Sequence, residues 1–354
     1  MASAPEISIA GRRVGPAHEP FIICELSGNH NGSLARALEM IEAAAATGCD
    51  AIKLQTYTAD TITLDVDRPE FRIQEGLWAG RSLYELYQEA QTPFEWHEAL
   101  FARARELGVI LFSTPFDETA VELLAGLDAP AYKIASFEAV DLPLIACAAR
   151  QGRPLIISTG MANLAEMEAA RNAALEAGAP GVALLHCVSS YPASFEDANL
   201  RTIPDMAARF GCVIGLSDHT PGTAAAVCAV ALGASVIEKH FTLSRADGGP
   251  DAAFSLEPEE FRALVFDCKS AWRALGEVSY DLEGSEQGSI QFRRSLYVVR
   301  DVAEGTIIDT TMVRSVRPGL GLPPQDLSRI LGRRAARDLV RGEPLAWDML
   351  AAGA

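Results

Sequence analysis

Short runs of apolar residues alternate with helical patterns along most of the chain. Each run is rich in Val, Ile and Leu, as expected for a strand that is covered on both faces. The eight runs that predict strands are Phe21–Leu26, Ala51–Gln55, Val109–Ser113, Ala131–Ala135, Leu155–Ser158, Val182–Val188, Val213–Ser217 and Val236–His240. Eight strand–helix units within roughly 250 residues predict an α/β fold of the TIM (β/α)8 barrel type.

Helix start and stop signals separate these runs. Gly152 and Gly178 are placed to end helices, and Pro221 after Thr220 predicts a helix start. The predicted N-caps of other helices are Ser33, Asp117, Asp141 and Asn163. An open doubly wound sheet is the alternative fold, but no GxGxxG motif follows the first strand.

Two segments outside the repeating units have predicted roles. Residues 7–20 predict a hairpin that closes the bottom of the barrel. Residues 61–96 form a long insertion between the second and third strands. Long loops at that end of a barrel usually shape a substrate site.

The last part of the chain contains a weak internal repeat. Asp301–Met312 aligns with Asp338–Met349, and each copy predicts a strand, a glycine turn and a short apolar segment. Two such copies predict a small, pseudo-symmetric, β-rich domain. We therefore expect a barrel domain over residues 1–284 and a second domain over residues 285–354.

Composition excludes several classes of function. The 354 residues are 49% hydrophobic, which is enough for a large core, and no run is long enough to span a membrane. The net charge of −17 argues against binding to nucleic acid or to anionic membranes. Seven cysteines without CxxC spacing favour a reducing, cytoplasmic location over disulfide bonds.

Polar side chains occur at the C-terminal ends of all eight predicted strands. Barrel enzymes place their active sites at this end, so the pattern predicts a substrate site there. These side chains are Glu25, Asn31, Lys53, Gln55, Ser113, Thr114, Lys133, Ser136, Glu138, Ser158, Ser189, Tyr191, Ser217, His219 and His240.

The two strand lysines each require a negative partner, because a buried ammonium without one is costly. Glu25 and Glu138 could supply structural salt bridges to Lys53 and Lys133. The several hydroxyl groups nearby fit a phosphate or carboxylate pocket better. A helix N-terminus at Pro221 would add backbone donors to such a pocket.

A pair of histidines is compatible with two arrangements that the spacing does not distinguish. One is a metal site, and the other is a hydrogen-bonded pair without a metal. His219 and His240 end neighbouring strands at matching depth. Two imidazoles completed by oxygen ligands suit Mn²⁺ or Mg²⁺ best, with Zn²⁺ or Fe²⁺ also compatible. Asp251 in the following loop could ligate or orient the ion.

Six motifs in order resemble those of the sialic acid synthase family, over nearly the whole chain. The C-terminal segment resembles the antifreeze-protein-like (SAF) domain of those enzymes. The motifs are Glu25 with Asn29-His30-Asn31-Gly32, Lys53-Leu54-Gln55-Thr56, Ser113-Thr114-Pro115-Phe116, Lys133-Ile134-Ala135-Ser136, Ser217-Asp218-His219-Thr220 and Glu238-Lys239-His240-Phe241.

The resemblance implies condensation of phosphoenolpyruvate with the aldehyde of an amino sugar, aided by a divalent metal. The implied catalytic residues are Glu25, Lys53, Lys133, Glu138 and Asp251. The implied substrate-binding residues are Asn31, Gln55, Ser113, Thr114, Ser136, Ser158, Ser189, Tyr191, Ser217 and Arg317. His219 and His240 are the implied metal ligands.

Finer motifs are most similar to those of the pseudaminic acid synthase branch of the family. They lie at Glu25–Gly32, Leu77–Tyr84 and Asp247–Pro258. The branch implies 2,4-diacetamido-2,4,6-trideoxy-β-L-altropyranose as the sugar. Ser189 stands where neuraminic acid synthases place asparagine, and Gly28 stands where the family has alanine. The Arg317 loop resembles the one that reaches the partner's site in a domain-swapped homodimer.

Three alternatives stay open. The same reaction could make N-acetylneuraminic or legionaminic acid from another amino sugar. A metal-dependent aldolase would split the bond and need no phosphoenolpyruvate. A non-catalytic sugar- or anion-binding module would bind ligand without turnover.

Overall fold

The computed structural model describes residues 4–351 and divides at Gly276 into two compact units. The first unit is a closed barrel of eight parallel strands, in which each strand pairs with the next along the chain and the last pairs with the first. The barrel strands are β3 Phe21–Glu25, β4 Ala51–Thr56, β5 Ile110–Pro115, β6 Tyr132–Ile134, β7 Leu155–Ser158, β8 Val182–Cys187, β9 Val213–Asp218 and β10 Val236–His240. The prediction of a TIM barrel is confirmed, and every predicted strand lies within two residues of the observed one.

Helices follow the strands and cover the outside of the barrel. They are α1 Leu34–Ala46, α4 His97–Leu107, α5 Glu118–Gly126, α6 Leu142–Ala149, α7 Leu164–Glu176, α8 Thr202–Phe210, α9 Ala224–Ala231 and α10 Pro258–Leu275, while α2 Ala59–Ile62 and α3 Leu83–Ala90 lie between β4 and β5. The four predicted N-caps are confirmed, because each side chain accepts a hydrogen bond from a first-turn backbone N–H. No helix within residues 4–351 has both the length and the apolar character needed to cross a membrane.

The predicted helix start at Pro221 is wrong. Helix α9 begins at Ala224, and Thr223 occupies its N-cap without a side-chain hydrogen bond. Thr220 instead donates its backbone N–H and its hydroxyl to Asp218, at 2.9 and 2.7 Å. As an N-cap, the Thr220 hydroxyl would accept from a first-turn backbone N–H. This local turn instead directs the hydroxyl to Asp218, so no helix N-terminus forms at that point.

The barrel lumen is apolar in its lower part and is closed below by the predicted hairpin. Strands β1 Ile7–Ile9 and β2 Arg12–Val14 pair antiparallel. Their apolar side chains pack beneath inward-facing residues of the barrel strands, among them Phe21, Phe112, Ile156, Leu185 and Val236. Polar side chains are therefore confined to the upper layer of the lumen.

The insertion between β4 and β5 contains a small hairpin and helix α3. Across the hairpin, the backbone N–H of Ile73 donates to the carbonyl oxygen of Arg81 at 2.9 Å, and the N–H of Gly80 donates to the carbonyl oxygen of Ile73 at 2.8 Å. Helix α3 begins with a capping box formed by Ser82 and Glu85. The insertion is therefore an ordered element rather than an open loop.

The second unit, from Glu277 onwards, is small and β-rich. Strands β11 Ser295–Val298 and β12 Val313–Val316 pair antiparallel, and a short helix α11 spans Leu327–Ile330. Leu296, Ile330 and Leu345 are fully buried in its core. This confirms the prediction of a barrel followed by a small SAF-type domain.

The two copies of the C-terminal repeat contact each other symmetrically. Val302 and Leu339 hold equivalent positions and exchange backbone hydrogen bonds of 2.9 and 2.8 Å. Asp301 and Asp338 are also equivalent, and each accepts a hydrogen bond from a backbone N–H of the other copy, at 2.8 and 2.7 Å. The repeat in the sequence therefore corresponds to a local two-fold arrangement built on these mutual contacts.

Candidate active site

A ring of buried charges lies at the C-terminal ends of the barrel strands. Lys53 Nζ on β4 lies 2.6 Å from Glu25 Oε2 on β3 and donates to Thr114 Oγ1 on β5 at 3.1 Å. Lys133 Nζ on β6 donates to Ser158 Oγ on β7 at 2.6 Å. Alternation along each strand turns these side chains into the lumen, directly above the apolar layers.

Glu238 on β10 connects the two lysines. Its Oε1 lies 3.6 Å from Lys53 Nζ and 3.7 Å from Lys133 Nζ, and it accepts from Ser217 Oγ at 3.3 Å. The second carboxylate oxygen is buried without a hydrogen-bond partner among the described residues. Sequence reasoning gave Glu238 no role, although its spacing of two from His240 places both side chains on the same strand face.

The charges in this ring offset one another. The carboxylates of Glu238 and Glu25 outweigh the effect of burial on Lys53 and raise its pKa, so this lysine stays protonated. Burial lowers the pKa of Lys133, against the opposing effect of Glu238. Burial also raises the pKa of Glu25, although Lys53 opposes the shift. The two positive charges of the lysines are thus nearly offset by the two carboxylates before any ligand binds.

Two imidazoles lie beside this ring. The ring centroids of His219 and His240 are 5.4 Å apart. His219 Nδ1 lies 2.9 Å from the carbonyl oxygen of Val188, which can accept its N–H. When the ring is neutral, this tautomer carries its lone pair on Nε2. His240 Nδ1 is buried without a hydrogen-bond partner among residues 4–351, and burial lowers the pKa of His240 well below its ordinary value.

These histidines fit a divalent cation whose remaining ligands are oxygens. The unpartnered, buried Nδ1 of a neutral His240 ring can bind a metal ion. The hydrogen bond from His219 Nδ1 to a backbone carbonyl oxygen is a common way to orient a histidine ligand. The nearest carboxylate is that of Asp251, 3.7 Å from His240 Nδ1. No group of three or more His, Cys, Asp or Glu side chains in the described part of the chain is arranged to hold a metal.

A polar chain links Asp251 to Glu25. The Ser27 hydroxyl donates to Asp251, and Gln55 Nε2 donates to Ser27 Oγ at 3.2 Å and to Glu25 Oε1 at 2.8 Å. Burial raises the pKa of Asp251, and the Ser27 hydrogen bond opposes the shift. The carboxylate beside His240 and the one beside Lys53 therefore belong to a single hydrogen-bonded path.

Several other candidate residues lie at the same rim. The Ser136 hydroxyl accepts from the backbone N–H of Gly160 at 3.2 Å. Gly160 has no room for a side chain, since a Cβ there would lie 2.2 Å from Ser189 Oγ and 2.9 Å from Ser136 Oγ. Tyr191 packs its ring 4.4 Å from that of His219. The absence of a side chain at Gly160 therefore allows Ser136 and Ser189 to lie close to each other.

The remaining candidates lie apart from this group. Ser113 faces the other side of β5, where it contacts Thr56 Oγ1 at 2.6 Å, because Thr114 takes the inward position. Asn31 is exposed and donates to the carbonyl oxygen of Gly248 at 3.2 Å. Ser113 is therefore a residue of the barrel wall in this structure, and Asn31 holds the loop that follows β10.

Glu138 and Arg317 also differ from the other candidates. Glu138 is not the salt-bridge partner of Lys133 that the sequence suggested, since Glu238 takes that place. Burial raises the pKa of Glu138 to about 7, and its Oε2 has no hydrogen-bond partner among the described residues. Arg317 is exposed in the C-terminal unit.

A buried ion pair lies behind the histidines, on the outer face of the barrel. Lys239 Nζ lies 2.6 Å from Asp218 Oδ2 and donates to the carbonyl oxygen of Thr220 at 2.5 Å. Lys239 and Asp218 are direct register partners in neighbouring strands. The pair therefore fixes the ends of the two strands from which His219 and His240 extend.

A closed β/α barrel with lysines, carboxylates and imidazoles at the C-terminal strand ends is the arrangement of a TIM-barrel enzyme. Residues 40–280 match the NeuB family, and residues 293–351 match the SAF domain. This chain belongs to the NeuB family and is an enzyme.

Relatives with known names cover nearly the whole chain. A pseudaminic acid synthase from Campylobacter jejuni is 44% identical over 325 residues, which cover 92% of this chain and 95% of that protein. An N,N'-diacetyllegionaminic acid synthase from Legionella pneumophila is 36% identical, over 94% of this chain and 95% of that protein. The crystal structure of N-acetylneuraminic acid (sialic acid) synthetase from Leptospira borgpetersenii matches with a TM-score of 0.72 and 33% identity, covering 82% of this chain and 96% of that one.

Proposed function

We propose that this enzyme condenses phosphoenolpyruvate with 2,4-diacetamido-2,4,6-trideoxy-β-L-altropyranose to give pseudaminic acid and phosphate. The observation that carries the proposal is the approach of Lys53 and Lys133 to one carboxylate, Glu238, at 3.6 and 3.7 Å beside the two imidazoles. The 44% identity to a pseudaminic acid synthase supports this choice of sugar over others.

The lysines and hydroxyls supply the site for the anionic substrate. Lys53 and Lys133, with Ser136, Ser158 and Ser217, would bind its phosphate and carboxylate and hold the enol in line with the sugar. Because Glu25 and Glu238 already balance the lysines, a bound trianion requires further positive charge. A divalent cation, and a proton on a carboxyl group, would both meet this requirement.

The reaction forms one carbon–carbon bond and replaces the bond from C2 to the phosphate oxygen with a bond to an oxygen of water. C3 of phosphoenolpyruvate attacks the aldehyde carbon of the open-chain sugar, and the aldehyde oxygen takes up a proton. Positive charge develops at C2 of phosphoenolpyruvate, where water adds and loses a proton. The resulting tetrahedral intermediate expels phosphate by cleavage of its C–O bond, while the C2 hydroxyl gives its proton to the departing phosphate and becomes the ketone oxygen.

Three carboxyl groups could hold or move the protons of these steps. Glu25 and Asp251 are joined through Gln55 and Ser27, so a proton gained at one end of this path affects the other. Glu138, with a pKa of about 7, can exchange a proton near neutral pH. His219 and His240 would hold Mn²⁺ or Mg²⁺, which when bound supplies Lewis-acid polarisation of the aldehyde.

We also propose that the enzyme works as a domain-swapped homodimer in the cytoplasm, with Arg317 acting on the partner's sugar. Large apolar side chains are exposed at the barrel rim, including Phe137 at 59% and Met161 at 64%. Tyr280, just after the barrel, is 98% exposed. Apolar groups of this size favour burial against another chain. The cysteines within residues 4–351 are all unpaired, as a reducing compartment allows.

The decisive assay measures phosphate released from phosphoenolpyruvate with three sugars, with and without Mn²⁺. The sugars are the trideoxy-altrose derivative, N-acetylmannosamine and 2,4-diacetamido-2,4,6-trideoxymannose. We expect release with the first sugar to exceed release with the others by tenfold or more, roughly the selectivity a polar contact provides. Faster release with the mannose derivative would instead assign legionaminic acid synthesis, for which the Legionella relative is the precedent. Cleavage of pseudaminic acid without phosphate would identify an aldolase.

A further inference from the structure

An aromatic wall runs from the imidazoles to the insertion. The Tyr191 ring lies 4.4 Å from the His219 ring and 5.3 Å from Phe254, and Phe254 lies 4.9 Å from His240. The Trp78 ring lies 5.8 Å from Tyr191, at an interplanar angle of 54°. Among the ring-to-ring contacts of the described residues, Trp78 touches only Tyr191, so it forms the far end of the wall.

A hydrogen bond fixes the orientation of Trp78, and close packing fixes the insertion that carries it. Its Nε1 donates to the carbonyl oxygen of Pro250 at 2.8 Å, next to Asp251. Helix α3, which follows the hairpin, packs against the loop after β3 at Gly28, where a Cβ would lie only 2.9 Å from Cα and Cβ of Ala90. Glycine at position 28 therefore lets the insertion approach the barrel closely. The hydrogen bond from Nε1 leaves the apolar face of the indole in a defined orientation.

We propose that Trp78 is a specificity-determining residue that contacts the C6 methyl group of the sugar. This inference rests on the proposed function, which puts the aldehyde carbon at His219 and His240. An open-chain hexose whose C1 lies at the imidazoles has C6 at its opposite end, where the wall ends in Trp78. An indole face offers apolar contact to a methyl group and no hydrogen-bond partner to a hydroxyl.

The expected discrimination follows from this chemistry. A hydroxyl at C6 would lose its hydration against the indole without gaining a partner. Apolar pockets reject an added hydroxyl by roughly tenfold to a hundredfold, and the choice between a 6-deoxy and a 6-hydroxy sugar should fall in that range. The site would thus select sugars that a preceding deoxygenation has reduced at C6.

The test compares two sugars that differ only at C6. They are the trideoxy-altrose derivative and 2,4-diacetamido-2,4-dideoxyaltrose, each assayed for kcat/KM with wild type, Trp78→Ala and Trp78→Phe. We expect wild type to prefer the deoxy sugar by about tenfold or more, and Trp78→Ala to reduce the preference to roughly threefold or less. The loss should appear in KM for the deoxy sugar, with KM for phosphoenolpyruvate unchanged.

The Phe variant and a neighbouring control distinguish direct contact of Trp78 with the sugar from a purely structural role of Trp78. Trp78→Phe removes the bond to Pro250 but keeps an apolar ring, so it should keep most of the preference. Leu77→Ala, at an exposed neighbour, should behave as wild type. Equal loss with both sugars in Trp78→Ala, or complete loss of preference in Trp78→Phe, would overturn the contact. If wild type releases no phosphate with the trideoxy sugar, the proposed function fails as well; if it does, only the role of Trp78 is at stake.

Discussion

Glu25 Oε2 and Lys53 Nζ lie 2.6 Å apart on neighbouring, directly registered positions of β3 and β4. Both side chains are less than 5% exposed, so neither charge can rely on water. Breaking such a pair leaves an uncompensated buried charge, which is costly. The carboxylate of Glu25 thus keeps Lys53 charged, as the proposed binding of an anionic substrate requires.

Lys53→Met should weaken the binding of phosphoenolpyruvate. The change removes one cation from the anion pocket and leaves the histidines in place, so KM for phosphoenolpyruvate should rise by about tenfold or more, the size of one charged hydrogen bond. Steady-state kinetics with varied phosphoenolpyruvate measures this. Lys269→Met is the matched control, since Lys269 pairs with Asp50 on the outside of the barrel. Unchanged KM in Lys53→Met would remove the anion pocket.

His219→Ala and His240→Ala should each abolish tight Mn²⁺ binding. Loss of one of two imidazole ligands should weaken affinity by about a hundredfold, at least as much as loss of a supporting contact. Titration of free Mn²⁺ followed by electron paramagnetic resonance gives the affinity without any turnover. His18→Ala is the control, because His18 pairs with Glu6 beside the lower hairpin. Full wild-type activity after treatment with chelator would contradict a metal role.

Glu138 should make the folded protein less stable as pH rises towards 7. A glutamate in the unfolded chain has a pKa of about 4.3, whereas burial raises that of Glu138 to about 7 in the folded chain. Between these values the folded state binds more protons, so its stability falls as pH rises.

Glu138→Gln removes this penalty. At pH 8 the variant should be more stable than wild type by on the order of 1–3 kcal/mol, with the gain disappearing near pH 4. Urea unfolding at several pH values measures the difference. Glu122→Gln, at an exposed position of α5, should show no such trend. Parallel stability curves for wild type and Glu138→Gln would show that the carboxyl group is not buried in solution.

Arg317→Ala should be rescued by a second inactive variant if the arginine acts on the partner's site. Mixed in equal amounts with the double variant His219→Ala/His240→Ala under conditions of subunit exchange, half of the dimers would be mixed, and each would contain one complete site. Activity of about a quarter of wild type is therefore expected. Arg314→Ala, on β12, is the control and should be active alone. No recovery in mixtures that do exchange subunits would place Arg317 in its own chain's site or in none.

Much of the fold could be predicted from the sequence, because buried parallel strands appear as short apolar runs. The runs at Leu155–Ser158 and Val236–His240 coincide with β7 and β10. The closing hairpin was also predictable from alternation, since Ile7 and Ile9 face the lumen. Pro221 misled the prediction because a local bond from Thr220 to Asp218 competes with helix initiation.

Long-range contacts limit what the sequence reveals about the site. The order of polar strand ends predicted which side chains meet, but not that Glu238 lies between the lysines, which depends on closure of the barrel. Strict alternation along β5 could have separated Ser113 from Thr114. The contact of Trp78 with Pro250 joins residues 172 positions apart, and no local pattern indicates it.

The insertion has a consequence for how enzymes of this type diversify. Its hairpin and α3 are added between two strands, so they can be lengthened, replaced or mutated without altering the hydrogen-bonded register of the closed sheet. Bond-forming chemistry and the choice of sugar are then separable during evolution. Exchange of one loop could then change the sugar that is accepted, and a library confined to residues 72–82 would be a compact starting point for engineering such a change.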